Sequence, residues 1–451
     1  MAARPKTSPA AGIRTLPVAE LRDRLASGAV SAVDLAEDCM GRIEARENEV
    51  QAWAWFDADY VRQQAKAIDA YRISGRPLGP LHGLPVGIKD IIDVKGMPTG
   101  NGFAPGATGK PRRDAYVVER LKAAGAIIMG KTVTTELAFM HPARTRNPRN
   151  PEHTPGGSSA GSAAAVADGM VPLAIGTQTG GSVIRPASFC GVTGFKPTFG
   201  AIPRRGVLPQ APSLDTIGVF AADPTGAAIL AEVLYGHDVE DGDTALAPHP
   251  RLYQIAGSAP PLKPVFAFAR VPGWEKADQE TRDAFAELAD ALGEGAFHID
   301  LPPLFNDALA ARQRIHFAEL ARNYHHYWHK AKDQLSAEVR AAIEEGNSVL
   351  ARDYISARDL KTVLNAGLEE IFERCDAIIC PAATGQAPKG LGSTGDPVFN
   401  GLWTFCGTPA VTVPLLAGSN DLPMGVQLIG PHGNDGRLLR AARWLFEWAD
   451  Q

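Results

Sequence analysis

GGSSAGSAAA at 156–165 and GTQTGGSVIRPASFCGVTGFKPT at 176–198 are the stretch on which the reading of this chain turns. Glycine, serine and alanine dominate it. Their order does not repeat and apolar residues interrupt it, so it is no low-complexity linker. Gly180 and Gly181 stand directly before Ser182, and without Cβ atoms a backbone can approach its neighbours closely and turn successive N–H groups toward one point. A hydroxyl beside converging N–H groups is the arrangement of a nucleophile next to an oxyanion hole. Such a nucleophile needs a base. Lys89, in GIKD at 87–90, ends a short apolar run, where desolvation disfavours the ammonium form and lowers the pKa.

Outward from that stretch the chain alternates between two periodicities. Apolar runs at 86–88, 126–129, 171–175, 265–269, 377–380, 410–413 and 425–429 predict strands. Between them come helical patterns: Val18, Leu21 and Leu25; a segment capped by Ser31 and running from Leu35 to Ile43; Val117, Val118 and Leu121; and 276–292 through Phe285, Leu288 and Leu292. Interleaved strands and helices argue for an α/β sheet covered on both faces. Residues 237–263, richer in Asp, Pro and Gly, read as a long surface connection.

The chain has 451 residues, 45% hydrophobic and 21% charged, which excludes disordered and fibrous classes. A net charge of −5 without a long basic block gives no footprint for phosphates, so nucleic acid is not an expected partner. No run reaches membrane-spanning length, and the opening MAARPKTSPAAG is followed by no apolar signal segment. The five cysteines (Cys39, Cys190, Cys375, Cys380, Cys406) are scattered, without paired CxxC motifs, and read as reduced thiols of a cytoplasmic protein.

Three motifs point elsewhere and are weighed against their context. GAIIMGKT at 125–132 fits the phosphate-loop pattern, but Ala-Ile-Ile-Met reads as a buried strand and not as a flexible cradle. GSSAG at 157–161 fits a nucleophile elbow with Ser159, but the preceding NPEHTPG, with two prolines and a glycine, excludes the strand an elbow must follow. His325 and His329 share the spacing of zinc ligands on a helix, without the carboxylate that completes HExxH, so an aromatic-rich packing helix is the better reading.

Residues 156–198 resemble the diagnostic stretch of the amidase-signature family almost throughout. The GIKD lysine, GAIIMGKTVTTELAF, RNPRNPEHTPGG and the tail GTPAVTVPL with LPMGVQLIGP resemble it too, from about residue 10 to the C-terminus. The resemblance implies a three-layer α/β/α fold with a large mixed central β-sheet. It implies one domain over 10–451, a catalytic core at about 80–220 and variable pocket helices at about 300–365. It further implies a triad of Lys89, Ser158 and Ser182, the two serines 24 residues apart and Ser158 following a cis peptide bond. Backbone N–H groups of Thr179, Gly180, Gly181 and Ser182 would form the oxyanion hole, with no metal or organic cofactor required. Ser159 and Ser162 are expected to give hydrogen-bonding support, and Asp215 to be a structural acceptor.

The commonest family version carries an acid before the glycines and an arginine two residues after the nucleophile. Here Gln178 replaces the acid and Arg185 comes three residues after Ser182, a variant similar to the malonamidase branch. Gln178 and Arg185 are therefore substrate-binding candidates, Arg185 as a bidentate carboxylate anchor or, alternatively, as a tie between the glycine loop and the core. Phe305, Tyr324, Tyr327 and Trp328 are further candidates for the pocket wall. The expected activity is cleavage of the C–N bond of a small-molecule amide through an acyl-enzyme, with carbamates, anilides or esters as further substrates, by a monomer or homodimer. The alternative is a glutaminase like the A subunit of the amidotransferases, supplying ammonia within a tRNA-dependent amidation complex, against which the Gln178 and Arg185 variant argues.

Overall fold

A parallel pair of buried strands sets the frame, because each ends in a residue of the site. The computed structural model describes residues 12–103 and 109–449, so the opening MAARPKTSPAA lies outside the described residues. Among them the strands are β1 (Trp53–Phe56), β2 (Pro85–Lys89), β3 (Ile127–Thr132), β4 (Leu173–Gln178), β5 (Thr193–Lys196), β6 (Thr216–Ala221), β7 (Phe266–Arg270), β8 (Ala296–Asp300), β9 (Ala377–Pro381), β10 (Ala410–Ala417) and β11 (Pro423–Ile429). All eleven join one sheet, in the order β1-β3-β2-β4-β6-β5-β10-β11-β9-β7-β8. The sheet is mixed. β2 is parallel to β3 and β4, and β7 to β8 and β9, whereas β5, β6, β10 and β11 pair antiparallel. With helices packed against it, this is the expected three-layer α/β/α arrangement.

The local signals explain much of it. Ser31 accepts from the Asp34 N–H while Asp34 accepts from the Ser31 N–H, a capping box that starts the helix Ala32–Val50. Asp278 caps the helix Gln279–Leu292 through the Thr281 N–H at 2.7 Å. β3 continues through Gly130, Lys131 and Thr132, so the GKT of the phosphate-loop pattern is buried strand, and Lys131 pairs with Asp90 at 3.0 Å. Each of the seven expected strands is present, several longer than their apolar runs. Four others, β1, β5, β6 and β8, lie outside the expected set, although β1 (Trp-Ala-Trp-Phe) and β6 (Thr-Ile-Gly-Val-Phe-Ala) are themselves apolar runs.

The helix Ala160–Ala167 is buried at every position, which its small side chains permit: a helix with a large residue at each turn could not lie this close to the sheet. No helix among the described residues is long and apolar enough to cross a membrane.

Candidate active site

β2 and β4 run side by side in the same direction, pairing Ile88 with Ile175, and they end in Lys89 and Gln178. The carboxyl ends of parallel strands are where α/β sheets open their crevices. Lys89 is completely buried there, with Nζ 2.7 Å from Ser158 Oγ and 2.7 Å from Thr177 Oγ1. Burial holds its pKa well below the usual lysine value, and the carboxylate of Asp215 only partly offsets that. As an ammonium Lys89 donates to both hydroxyls; once neutral it keeps two N–H donors and gains a lone pair that can accept the Ser158 proton. Ser158 itself is buried and follows a cis Gly157–Ser158 peptide bond.

The loop between β4 and the helix Ile184–Cys190 carries Ser182. Gln178 shapes it: Oε1 accepts from the N–H groups of Val183 (2.9 Å) and Ile184 (3.0 Å), and Nε2 donates to Thr404 Oγ1 at 3.0 Å. Gly181 packs against the Asn400 side chain, since a Cβ there would lie 2.3 Å from Asn400 Oδ1 and displace it. Thr179 Oγ1 donates to Asp215 at 2.5 Å, and Asp215 also accepts from the N–H groups of Gln210 and Ala211. Burial raises the Asp215 pKa despite those donors. Ser159 and Ser162 bond to the backbone of β4 at Thr177 and Ile175.

A cavity of about 190 Å³ opens over Gly180, Gly181 and Ser182, with Phe139, Met140 and Phe317 on its apolar side. Arg185 borders it but is almost wholly engaged in tying loops together. Its Nε donates to Thr394 O at 2.7 Å, and its Nη2 to Gly157 O at 2.8 Å and to Thr394 Oγ1 at 3.2 Å, leaving Nη1 without a protein partner. Of the two roles weighed for it, the geometry displays the tie. Gln178 does not border the cavity, because its amide is engaged in the loop.

The four aromatic wall candidates also lie elsewhere. Phe305 packs in an apolar cluster with Ala308 and Leu364. Tyr324 and Tyr327 pack with Phe103 and Leu137, and Trp328 rests against that second cluster. Tyr324 Oη is committed to Leu137 O at 2.6 Å. The helix Ala308–Asn323 contributes Arg312 and His316 to the cavity instead, two residues the sequence reading missed although they stand four apart on one helix face. Thr177 was missed as well. Its signal is a polar side chain near the buried end of the strand beside the one that carries Lys89. His325 and His329 lie exposed with Nε2 atoms 2.8 Å apart, and among the described residues no group of three or more His, Cys, Asp or Glu is placed to hold a metal.

Gln178→Ala should lower stability by about 1–3 kcal/mol, because it strips the acceptor from two buried N–H groups. Urea unfolding followed by circular dichroism checks this; an unchanged midpoint would show that the loop holds without the amide.

Residues 34–439 match the family model described as Amidase. A curated relative from Synechococcus sp. (strain WH7803), described as the A subunit of glutamyl-tRNA(Gln) amidotransferase, is 34% identical over 478 residues, covering 96% of this chain and 97% of that protein. One from Chloroflexus aurantiacus with the same description is 35% identical over 483 residues, covering 97% and 98%. A solved structure described as a vestigial complex bearing on the origins of an s-triazine catabolic enzyme superposes with a TM-score of 0.89 at 29% identity, covering 96% and 98%. These findings correct two expectations. The reading as a free-standing hydrolase of small-molecule amides, and the reading of its partners as excluding nucleic acid, with a monomer or homodimer, both yield to relatives named for one component of a tRNA-dependent amidotransferase.

Proposed function

The chain belongs to the amidase family, and from that membership we propose that it is the amide-cleaving component of a tRNA-dependent amidation, releasing ammonia from glutamine to a partner protein. The observation that carries this reading is the common description of its curated relatives, at 34% and 35% identity over nearly the full length of both partners in each comparison. The Gln178 and Arg185 variant no longer weighs against it. Both residues serve the architecture of the loop, so the likeness of GTQTGGSVIRPA to the malonamidase-like branch is here a matter of how the loop is held.

In this reading neutral Lys89 takes the proton of Ser158, Ser158 takes that of Ser182, and Ser182 Oγ attacks the amide carbonyl. The N–H groups of Thr179, Gly180, Gly181 and Ser182 receive the oxyanion, and Arg185 Nη1 is a further donor at the cavity. The proton returns through Ser158 to the leaving nitrogen, ammonia departs, and water cleaves the acyl-enzyme by the reverse relay. Thr177 holds the Lys89 amine in line with Ser158. The chain works as one domain, residues 10–451, in the cytoplasm.

The test is reconstitution. Supplied with the other components of a glutamyl-tRNA(Gln) amidotransferase, in place of its amide-cleaving one, and with radiolabelled glutamyl-tRNA(Gln), ATP and glutamine, the chain should yield amidated tRNA and comigrate with those components on size exclusion. Ammonia release from glutamine should rise on assembly. Full glutamine hydrolysis by the isolated chain, with no amidated tRNA and no comigration, would overturn the reading.

A further inference from the structure

Two guanidinium groups, Arg185 and Arg312, border the cavity over Ser182, and among the described residues no carboxylate does. Burial lowers the pKa of each only to about 10, so both are charged at neutral pH. The carboxylate whose field reaches both, Asp396, is itself paired with Lys276 at 2.8 Å. A pocket built this way carries uncompensated positive charge, which an anionic ligand relieves.

Arg312 is aimed by a relay of fixed polarity. Gln210 donates its amide N–H to Leu137 O at 3.0 Å, which turns Gln210 Oε1 toward His316 Nε2 at 2.9 Å. His316 must then carry its proton on Nε2, leaving Nδ1 to accept from Arg312 Nη1 at 3.3 Å. Burial and the neighbouring guanidinium hold the His316 pKa well below its usual value, which keeps that tautomer neutral. Arg312 Nε has no protein partner. The guanidinium packs close to two glycines: a Cβ on Gly401 would come within 2.9 Å of Nε, and a Cβ on Gly180 would stand 3.3 Å from Nη1. So the guanidinium is held against the loop of the nucleophile, its Nη1 bonded to His316 and close to Gly180.

We propose that Arg312, oriented by His316 and Gln210, is the carboxylate-binding group of this site, and that its substrates are amides whose acyl half bears a carboxylate a few bonds from the scissile carbonyl. The inference rests on the reading that Ser182 cleaves an amide in this cavity. Arg185, with one free nitrogen, assists without providing the fork.

The experiment has a binding arm and a turnover arm. In the Ser182→Ala background, calorimetry with glutarate should show binding that Arg312→Gln weakens on the order of a hundredfold, the usual scale for removing one partner of a buried charge pair. Arg312→Lys, which keeps the charge and loses the fork, should fall between them and decides the matter if the glutamine variant does not fold. With Ser182 intact and the assembled complex, the ratio of kcat/KM for L-glutamine to that for L-glutaminamide, which lacks the carboxylate, should drop by a similar factor in Arg312→Gln. Glutarate affinity unchanged in both variants, or an unchanged donor ratio, would overturn the proposal. Arg312-dependent glutarate binding without ammonia release from any amide would leave the carboxylate site standing and sink the function proposed for Ser182; ammonia release indifferent to the carboxylate would do the reverse.

Discussion

Replacing Ser182 by alanine should lower kcat for ammonia release by about 10⁵–10⁶-fold, the scale on which a serine hydrolase depends on its nucleophile. It should also abolish labelling by serine-directed phosphonates, because the remaining hydroxyls near the loop are committed elsewhere. Ser159 Oγ donates to Thr177 O and accepts from Thr177 N–H, and Ser158 Oγ stands against Lys89 Nζ. Ser159→Ala should therefore still be labelled. Mass spectrometry of the phosphonylated protein checks both variants, and a label on Ser159 with Ser182→Ala still active would return the chain to the elbow mechanism.

The second large effect is on pH. Lys89 is depressed well below the ordinary lysine value by burial, so its proton leaves at lower pH than that of a free lysine, and the neutral base accumulates as pH rises. Turnover should rise toward alkaline pH, with a limb that reports Lys89 coupled to its serines. Stability follows the same sign: between the folded and unfolded pKa values the unfolded chain binds the extra proton, so this group's contribution grows as pH climbs through that window. Lys89→Ala should remove the limb and lower the rate by at least about a hundredfold. Lys89→Glu should move the limb down into the carboxylate range with weak residual activity. A pH profile identical in all three proteins would mean that Lys89 is a structural charge.

β6, beside β4, has an apolar run at Thr216–Ala221 yet lies outside the expected set, whereas β2 and β4 were legible because burial on both faces demands continuous apolar runs, as in 86–88 and 171–175. β5, Thr193–Lys196, was not: its four residues continue the glycine- and serine-rich stretch and become strand only by lying between β6 and β10. β8 is an edge strand whose side chains remain partly exposed, so it needs no apolar pattern. At the site, Lys89 and Ser158 could be paired from sequence because long motifs surround both. Arg312 and His316 could not, since what sends them to Ser182 is the packing of a helix more than a hundred residues downstream. The failed inference about nucleic acid has a physical reason too. A mixed surface charge describes what this chain alone presents to phosphates, and it is silent on tRNA held by another protein of a complex.

The strand order has a consequence for how the molecule is made. β10 and β11, from the last tenth of the chain, lie between β5 and β9 and are the link between the half of the sheet that carries Lys89 and the half built from β7, β8 and β9. During synthesis the first half can pair as soon as β6 emerges, yet one edge of β5 and one edge of β9 stay open until residues 410–429 leave the ribosome. Unpaired strand edges recruit other chains. The nascent protein is thus exposed to aggregation for the time needed to translate some two hundred residues, which at about 5–20 residues per second is ten seconds or more, and a chain arrested shortly before β10 would keep those edges open for as long as it persists.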